Sequence, residues 1–223
     1  MFQVNLPKIF QPFYCENLIR VGKNNDGGYL VNKNDINQTD ILISFGIGDE
    51  WSFENYFNCQ IYAYDGQIAP LKNFDSLNRT FINKNVGKEN KNTQVSISSI
   101  LDKKFNVFLK CDIDGGEYQI LDELIEYAQI FTGIVIEFHT ISKNSNFNHI
   151  VNFISKIGMK LVHTHINNYF YYITPNGIIP DTIELTFSSA NNLIYNPKLT
   201  LPHILDQPNN PDNNEIQILF IEI

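Results

Sequence analysis

The sequence predicts an α/β fold, a mostly parallel sheet flanked by helices, from three observations. Short apolar runs alternate with amphipathic segments along the chain, the pattern of strands joined by helical crossovers. One such run, Ile41 to Phe45, ends in Gly46-Ile47-Gly48. The next, Ile61 to Tyr64, ends in an acid, Asp65, nineteen residues after Gly46.

Each element follows from its local pattern. A turn at Asp26-Gly27-Gly28-Tyr29, flanked by Leu18-Ile19 and Leu30-Val31, predicts an N-terminal hairpin within residues 1–39. After the strand at Ile41 to Phe45 a helix is expected over Ser52 to Phe57, then strands at Ile61 to Tyr64, Phe81 to Val86 and Val107 to Asp112. Glu117 to Tyr127 carries Ile120, Leu121, Leu124 and Ile125 at helical spacing. A strand at Ile134 to Phe138, a helix at Phe147 to Ile157 and a strand at Leu161 to His165 come next, with further strands at Tyr169 to Ile173 and Ile183 to Phe187. Asn176-Gly177 favours a tight turn. Residues 197–214 hold four prolines among many asparagines and predict an irregular loop before a last strand at Ile216 to Ile223. Neither an internal repeat nor a domain boundary is visible, so 223 residues are expected to form one domain.

Bulk properties narrow the function. The formal charge is −8, and the 16 Lys and Arg are scattered, which argues against a nucleic-acid acceptor. No apolar run approaches the ~18 residues of a membrane span. Met1 to Phe10 lacks the charged and apolar regions of a signal peptide, so a cytoplasmic location is expected. Cys15, Cys59 and Cys111 are odd in number and unpaired by spacing, which predicts free thiols.

The chemistry concentrates at strand ends. A buried strand ending in GxG lets the backbone turn sharply and lets a ligand approach it. Gly46 and Gly48, with Asp49 beside them, are thus candidates to hold a nucleoside cofactor, and Asp65 to accept its ribose hydroxyls. A dinucleotide site would need a third small residue where Trp51 stands; S-adenosylmethionine has no pyrophosphate and needs only the GxG. Asp112, in Lys110-Cys111-Asp112-Ile113-Asp114-Gly115-Gly116-Glu117, should point into the crevice at the carboxyl edge of the sheet. The segment looks like a calcium loop only in Asp-x-Asp-Gly; the later acids fall at the wrong positions. Glu137, His139, His165, Asn167, Asn168 and Glu184 cluster near the ends of later strands as candidate catalytic and substrate-binding groups. Asp112 and Glu137 end adjacent strands, so they are also the candidate ligands of a divalent metal.

Several motifs in order carry a resemblance. Asp26-Gly27-Gly28-Tyr29-Leu30-Val31, Ser44 to Glu54, Tyr64-Asp65-Gly66, Lys110 to Glu117, His165 to Tyr169 and Glu184 to Phe187 together resemble the FkbM-type S-adenosylmethionine-dependent methyltransferases. The likeness spans roughly residues 20–210. It departs at Asp114, where the family commonly has glutamate. It implies a Rossmann-like class I methyltransferase fold with a mostly parallel seven-stranded sheet flanked by helices. It also implies an acceptor among sugars, surface-polysaccharide precursors or related small metabolites, phosphorylated or not. Asp26, Gly28 and Gly66 join the cofactor-binding candidates through these motifs, and some similar sugar methyltransferases use magnesium.

The expectation is therefore an O-methyltransferase, with Gly46, Gly48 and Asp65 on the donor. Asp112, Glu137, His139 and His165 are then the candidate base and positioning groups. Two rivals use the same features: an NAD-dependent nucleotide-sugar oxidoreductase or epimerase, and a non-catalytic binding protein on a methyltransferase scaffold.

Overall fold

A computed structural model describes residues 3–175 and 177–222. The expected Asn176-Gly177 turn and the chain ends at Met1, Phe2 and Ile223 therefore fall partly outside the described residues. In chain order the elements begin with β1 (Gln3–Pro7), the hairpin β2 (Leu18–Gly22) and β3 (Gly28–Asn32), α1 (Lys33–Asn37), β4 (Ile41–Phe45), α2 (Ser52–Asn55) and β5 (Gln60–Tyr64). They continue with β6 (Arg79–Ile82), β7 (Asn85–Gly87), β8 (Gln94–Ser96), α3 (Ile97–Leu101), β9 (Val107–Cys111), α4 (Leu121–Glu126) and β10 (Phe131–Phe138). The last are α5 (Asn144–Lys156), β11 (Lys160–Thr174), β12 (Gly177–Ser188) and β13 (Gln217–Ile221).

Seven strands form the central sheet in the order β11-β12-β10-β9-β4-β5-β6. Only β12 runs against its neighbours; the other pairs are parallel. This is the mostly parallel seven-stranded sheet expected from the sequence, although its helices are few and short. Every residue of β9 and β10 is buried, as expected where both faces of a parallel sheet are covered. Side chains alternate between two apolar layers. Leu109, Ile134 and Ile136 pack with Leu124, Ile150 and Phe153 from α4 and α5. Phe108 and Val135 pack on the opposite side with Tyr29 and Val31 of the hairpin and Phe53 of α2.

Three expectations change, and one pairing is new. Phe81 to Val86 is not one strand: β6 ends at Ile82, and Asn83 donates its amide to the carbonyls of Asp65 and Ile68, turning the chain into the separate β7–β8 pair. The helix over Glu117 to Tyr127 breaks into a 3-10 turn at Glu117–Gln119 and then α4. The runs Leu161 to His165 and Tyr169 to Ile173 are one strand, β11, with an irregular register between Asn167 and Tyr171. The first residues form β1, which pairs in parallel with β13 and so brings the two chain ends together. All three cysteines are free. No helix among the described residues is long and apolar enough to cross a membrane.

Candidate active site

Sheet register assembles the site. Tyr64, Phe45, Cys111 and Ile136 form one row across β5, β4, β9 and β10. The residues one step beyond, Asp65, Gly46, Asp112 and Glu137, therefore share the carboxyl edge of the sheet. Glu137 pairs with Glu184, and Glu184 with His165, extending the row across β12 and β11.

Gly46 adopts φ +71°, and a Cβ there would lie 1.6 Å from the Asp112 carbonyl oxygen. Its N–H donates to the Tyr64 carbonyl at 2.9 Å. The first glycine is thus required by the crossing of two strand ends. Gly48, at φ +62°, would place a Cβ within 4 Å of nothing. Its bareness serves no internal packing and leaves the loop open to the clefts that it lines. Asp65 braces that loop, accepting the Gly48 N–H at 3.1 Å on Oδ2 and the Gln67 N–H at 2.8 Å on Oδ1. Trp51, the bulky residue at the dinucleotide position, packs edge-on against Phe74 with ring centroids 5.8 Å apart.

Two clefts meet here. The larger, about 470 Å³, is lined by Gly46, Gly48, Asp65, Gly66, Asp112 and Asp114 among others, a volume in the range of small-molecule sites. The smaller, about 170 Å³, shares Gly46, Gly48 and Asp112 and adds Asp26, Asp49, Glu54 and Lys110. The residues expected to hold the donor thus line one cleft or the other, except Gly28. That glycine lines neither; a Cβ on it would sit 2.2 Å from the Lys23 carbonyl, so its absence serves the hairpin turn.

Asp112 lies where the clefts join. Tyr29 Oη is 3.3 Å from its Oδ2 and 3.0 Å from Glu137 Oε2. His139 Nε2 is 3.7 Å from Asp112 Oδ1, and its Nδ1 is 3.0 Å from Glu117 Oε1. Burial raises the pKa of Asp112 against the pull of Lys110 and His139. Burial also raises Glu137, well above the carboxylate range, reinforced by the charges of Asp112 and Glu184. For His139, burial opposes the charge, but Glu117, Glu137 and Asp112 outweigh it and lift the imidazole to about 9.

The remaining candidates lie behind this front. Glu137 is 4% exposed, and Asn167 donates to its Oε1 at 2.9 Å. His165 is also buried and lines neither cleft; its ring nitrogens face Glu184 at 3.1 Å and Glu215 at 3.2 Å, and these acids hold it charged against its burial. It cannot meet an acceptor without rearrangement, so it supports the row rather than ending it. Glu184 is engaged by Asn209 at 2.6 Å. Asn168 is fully buried, donating to the carbonyls of Asn210 and Asn213 and accepting the Asn210 N–H at 2.7 Å. It anchors the 209–214 loop and offers no free polar atom to a substrate. The metal candidates also regroup. Ligand atoms of Asp112, Asp114 and His139 lie within 4.8 Å of one another, whereas Glu137 is occupied by Tyr29 and Asn167.

Sequence reasoning passed over Tyr29, Glu117 and Lys110, although all three lie inside the quoted motifs. Glu117 is fully buried and accepts the backbone N–H groups of Ile113 and Gly115, both at 3.2 Å, so it shapes the loop that carries Asp114.

Comparison with known proteins identifies the family. A family model described as the methyltransferase FkbM domain matches residues 7–161. A comparison with curated protein sequences finds no match. Among solved structures, M. jannaschii TYW2 in complex with AdoMet is 12% identical, with a TM-score of 0.41 over 78% of this chain and 87% of that one. Precorrin-6y C5,15-methyltransferase from Geobacter metallireducens GS-15 is 15% identical, with a TM-score of 0.39 over 70% of this chain and 84% of that one. The METTL16 methyltransferase domain is 10% identical, with a TM-score of 0.41 over 71% of this chain and 63% of that one. These likenesses are too distant to inform the acceptor. The family match covers more than half of the chain, and with it the GxG strand, Asp65 and the Lys110 to Glu117 segment: the protein belongs to the FkbM methyltransferase family and is an S-adenosylmethionine-dependent methyltransferase.

Proposed function

We propose that the protein is a cytoplasmic O-methyltransferase acting on a hydroxyl of a sugar, a surface-polysaccharide precursor or a related small metabolite. The observation that carries this reading is Asp112, a half-buried carboxylate at the junction of the two clefts. When bound, the donor supplies an electrophilic methyl group on a sulfonium. The chain must align the acceptor hydroxyl and remove its proton. Asp112, made more basic by burial, accepts that proton, and cationic His139 beside it steadies the carboxylate. Glu137, Asn167 and Tyr29 fix Asp112 in place, with Glu184 and His165 behind them. Asp65 takes the ribose of the donor, and Gly46 and Gly48 let it approach.

The acidic walls favour a neutral polyol over a phosphorylated acceptor. Asp26, Asp49, Glu54, Asp112 and Asp114 accept hydrogen bonds from hydroxyls and repel anions. A second reading rests on the convergence of Asp112, Asp114 and His139. Those three would hold a divalent cation such as magnesium, which would lower the pKa of a bound hydroxyl; Asp112 would then be a ligand and not the base.

One assay series tests both readings. S-adenosylhomocysteine formation is followed across free, nucleotide-linked and phosphorylated sugars, with and without chelator and added magnesium. Turnover of neutral sugars in excess chelator supports the Asp112 base, whereas loss restored by magnesium and abolished in Asp114→Asn supports the metal. Donor binding without turnover on any acceptor would sink the enzymatic reading of this site and favour a binding protein.

A further inference from the structure

Past Asn168 two strands run on beyond the body of the sheet. β10 ends at Phe138, opposite Ile183. Residues 169–174 of β11 and 177–180 of β12 therefore continue as a two-stranded arm, beyond the edge that holds Asp112 and Glu137. Direct cross-strand neighbours share a face of the arm. On one face Ile178 and Pro180 are buried, and Tyr171 packs into the main core. Tyr172 and Ile179, opposite one another on the other face, are 56% and 43% exposed. Tyr169 and Phe170, with ring centroids 6.4 Å apart, lie beside them at 43% and 72%, and Ile173 near the tip is 76% exposed.

The arm lacks the charges that usually keep such a strand single. Residues 166–180 include no Lys, Arg, Asp or Glu, and exposed, uncharged segments of high β-propensity associate unless something covers them. Contiguous apolar surface of this kind marks an interaction site. At ~150–250 Å² per aromatic side chain, the exposed parts of Tyr169, Phe170 and Tyr172 amount to roughly 250–430 Å². Two copies meeting here cover twice that area, and Ile173 and Ile179 add to it. This supplies the apolar centre of the ~1,200–2,000 Å² that a specific interface buries. Charge selects the occupant. Each copy carries a net −8, so two copies repel over most of their surface, and the uncharged arm is a place where they meet without like charges facing. A charged partner gains nothing from such a face. A two-fold axis puts the same patch on both sides, so the aromatic surface is its own complement.

We infer that the arm is a homodimer interface, with Phe170, Tyr172 and Ile179 of one copy packed against the same residues of a second copy of this chain. Sedimentation equilibrium from low to high micromolar concentration tests it, and the wild-type chain should sediment at twice its own mass. Tyr172→Glu puts a charge at a position already half exposed and should weaken the dimer at least tenfold. Leu77→Glu, at a fully exposed leucine just before β6, should leave it unchanged. A wild-type monomer at high micromolar concentration would overturn the inference. If a neutral oligosaccharide then slows hydrogen exchange in residues 169–174 of that monomer, the arm is a sugar platform instead. A dimer that survives Tyr172→Glu, or one that Leu77→Glu weakens equally, would overturn it as well. If Tyr172→Glu does not fold, hydrogen exchange in the wild-type protein decides. The amides of residues 169–174 should exchange at least tenfold more slowly at concentrations where the dimer forms than where it dissociates, and equal exchange would place the interface elsewhere.

Discussion

Tyr29 reaches from the N-terminal hairpin to within 3.0 Å of Glu137 on β10, across 108 residues of sequence. Its single phenol proton also lies near Asp112, so one side chain ties the hairpin to both buried acids. Burial holds the phenol itself well above its ordinary pKa, which keeps that proton available.

Tyr29→Phe removes this tie and leaves a buried carboxyl oxygen without its partner. The expected loss is about 1–3 kcal/mol of stability, read as a lower melting temperature. Donor affinity should change little, because Tyr29 lines neither cleft. An unchanged melting temperature would show that the hydrogen bond adds nothing to the fold.

The two glycines of the GxG turn should respond differently to alanine. Gly46→Ala drives a Cβ into the Asp112 carbonyl and should prevent correct folding of the edge. Gly48→Ala meets no protein atom, so its folding penalty is the left-handed strain alone, about 1–2 kcal/mol. Its main effect should be weaker donor binding by calorimetry. Unimpaired binding in a folded Gly48→Ala protein would remove this residue from the cradle.

Asp65→Ala should weaken S-adenosylmethionine by roughly 1.5–3 kcal/mol, the scale of hydrogen bonds to a charged group. Because Asp65 also braces Gly48 and Gln67, circular dichroism should accompany the titration. Full affinity in a folded variant would take Asp65 out of the site.

A pH effect is expected far from the cleft. Asp35 on α1 is 2% exposed, and one of its oxygens has no hydrogen-bond partner. Burial lifts its carboxyl from 3.8 to about 7, against the hydrogen bond from Ser188. The folded state therefore keeps a proton that the unfolded chain releases between those values. Stability from this group is fullest below the lower pKa and falls as pH rises toward about 7, by an amount on the order of 3–4 kcal/mol. Asp35→Asn should flatten that part of the stability curve in denaturant titrations run from pH 4 to 8. A slope identical to wild type would mean that Asp35 ionises normally.

Much of the geometry around Gly46, Gly48 and Asp65 was legible from residue order. A buried, mostly apolar run, a GxG and an acid at the next strand end are local patterns, and glycine at φ +71° is a demand of the backbone itself. The carboxyl edge followed because parallel strands joined by crossovers all end on the same side. The polar cluster behind Asp112 was less legible. Asn167 and Asn168 are neighbours of one residue type, yet one holds Glu137 and the other holds a loop some forty residues later in the chain. Alternation sends adjacent side chains to opposite faces, and no local pattern says what waits on each.

The sequence by itself determined most strands of the central sheet, the GxG turn and the edge on which the acids gather, because periodicity and glycine geometry act within a few residues. Only the tertiary structure decided that β12 inserts antiparallel between β10 and β11, which puts Glu184 between Glu137 and His165. It likewise decided that β1 pairs with β13, that Gly28 serves the hairpin, and that His165 is enclosed by Glu184 and Glu215. These outcomes depend on which distant segments share a sheet or bury one another's charges. That choice is made by the packing of the whole chain, and no short window of sequence contains it.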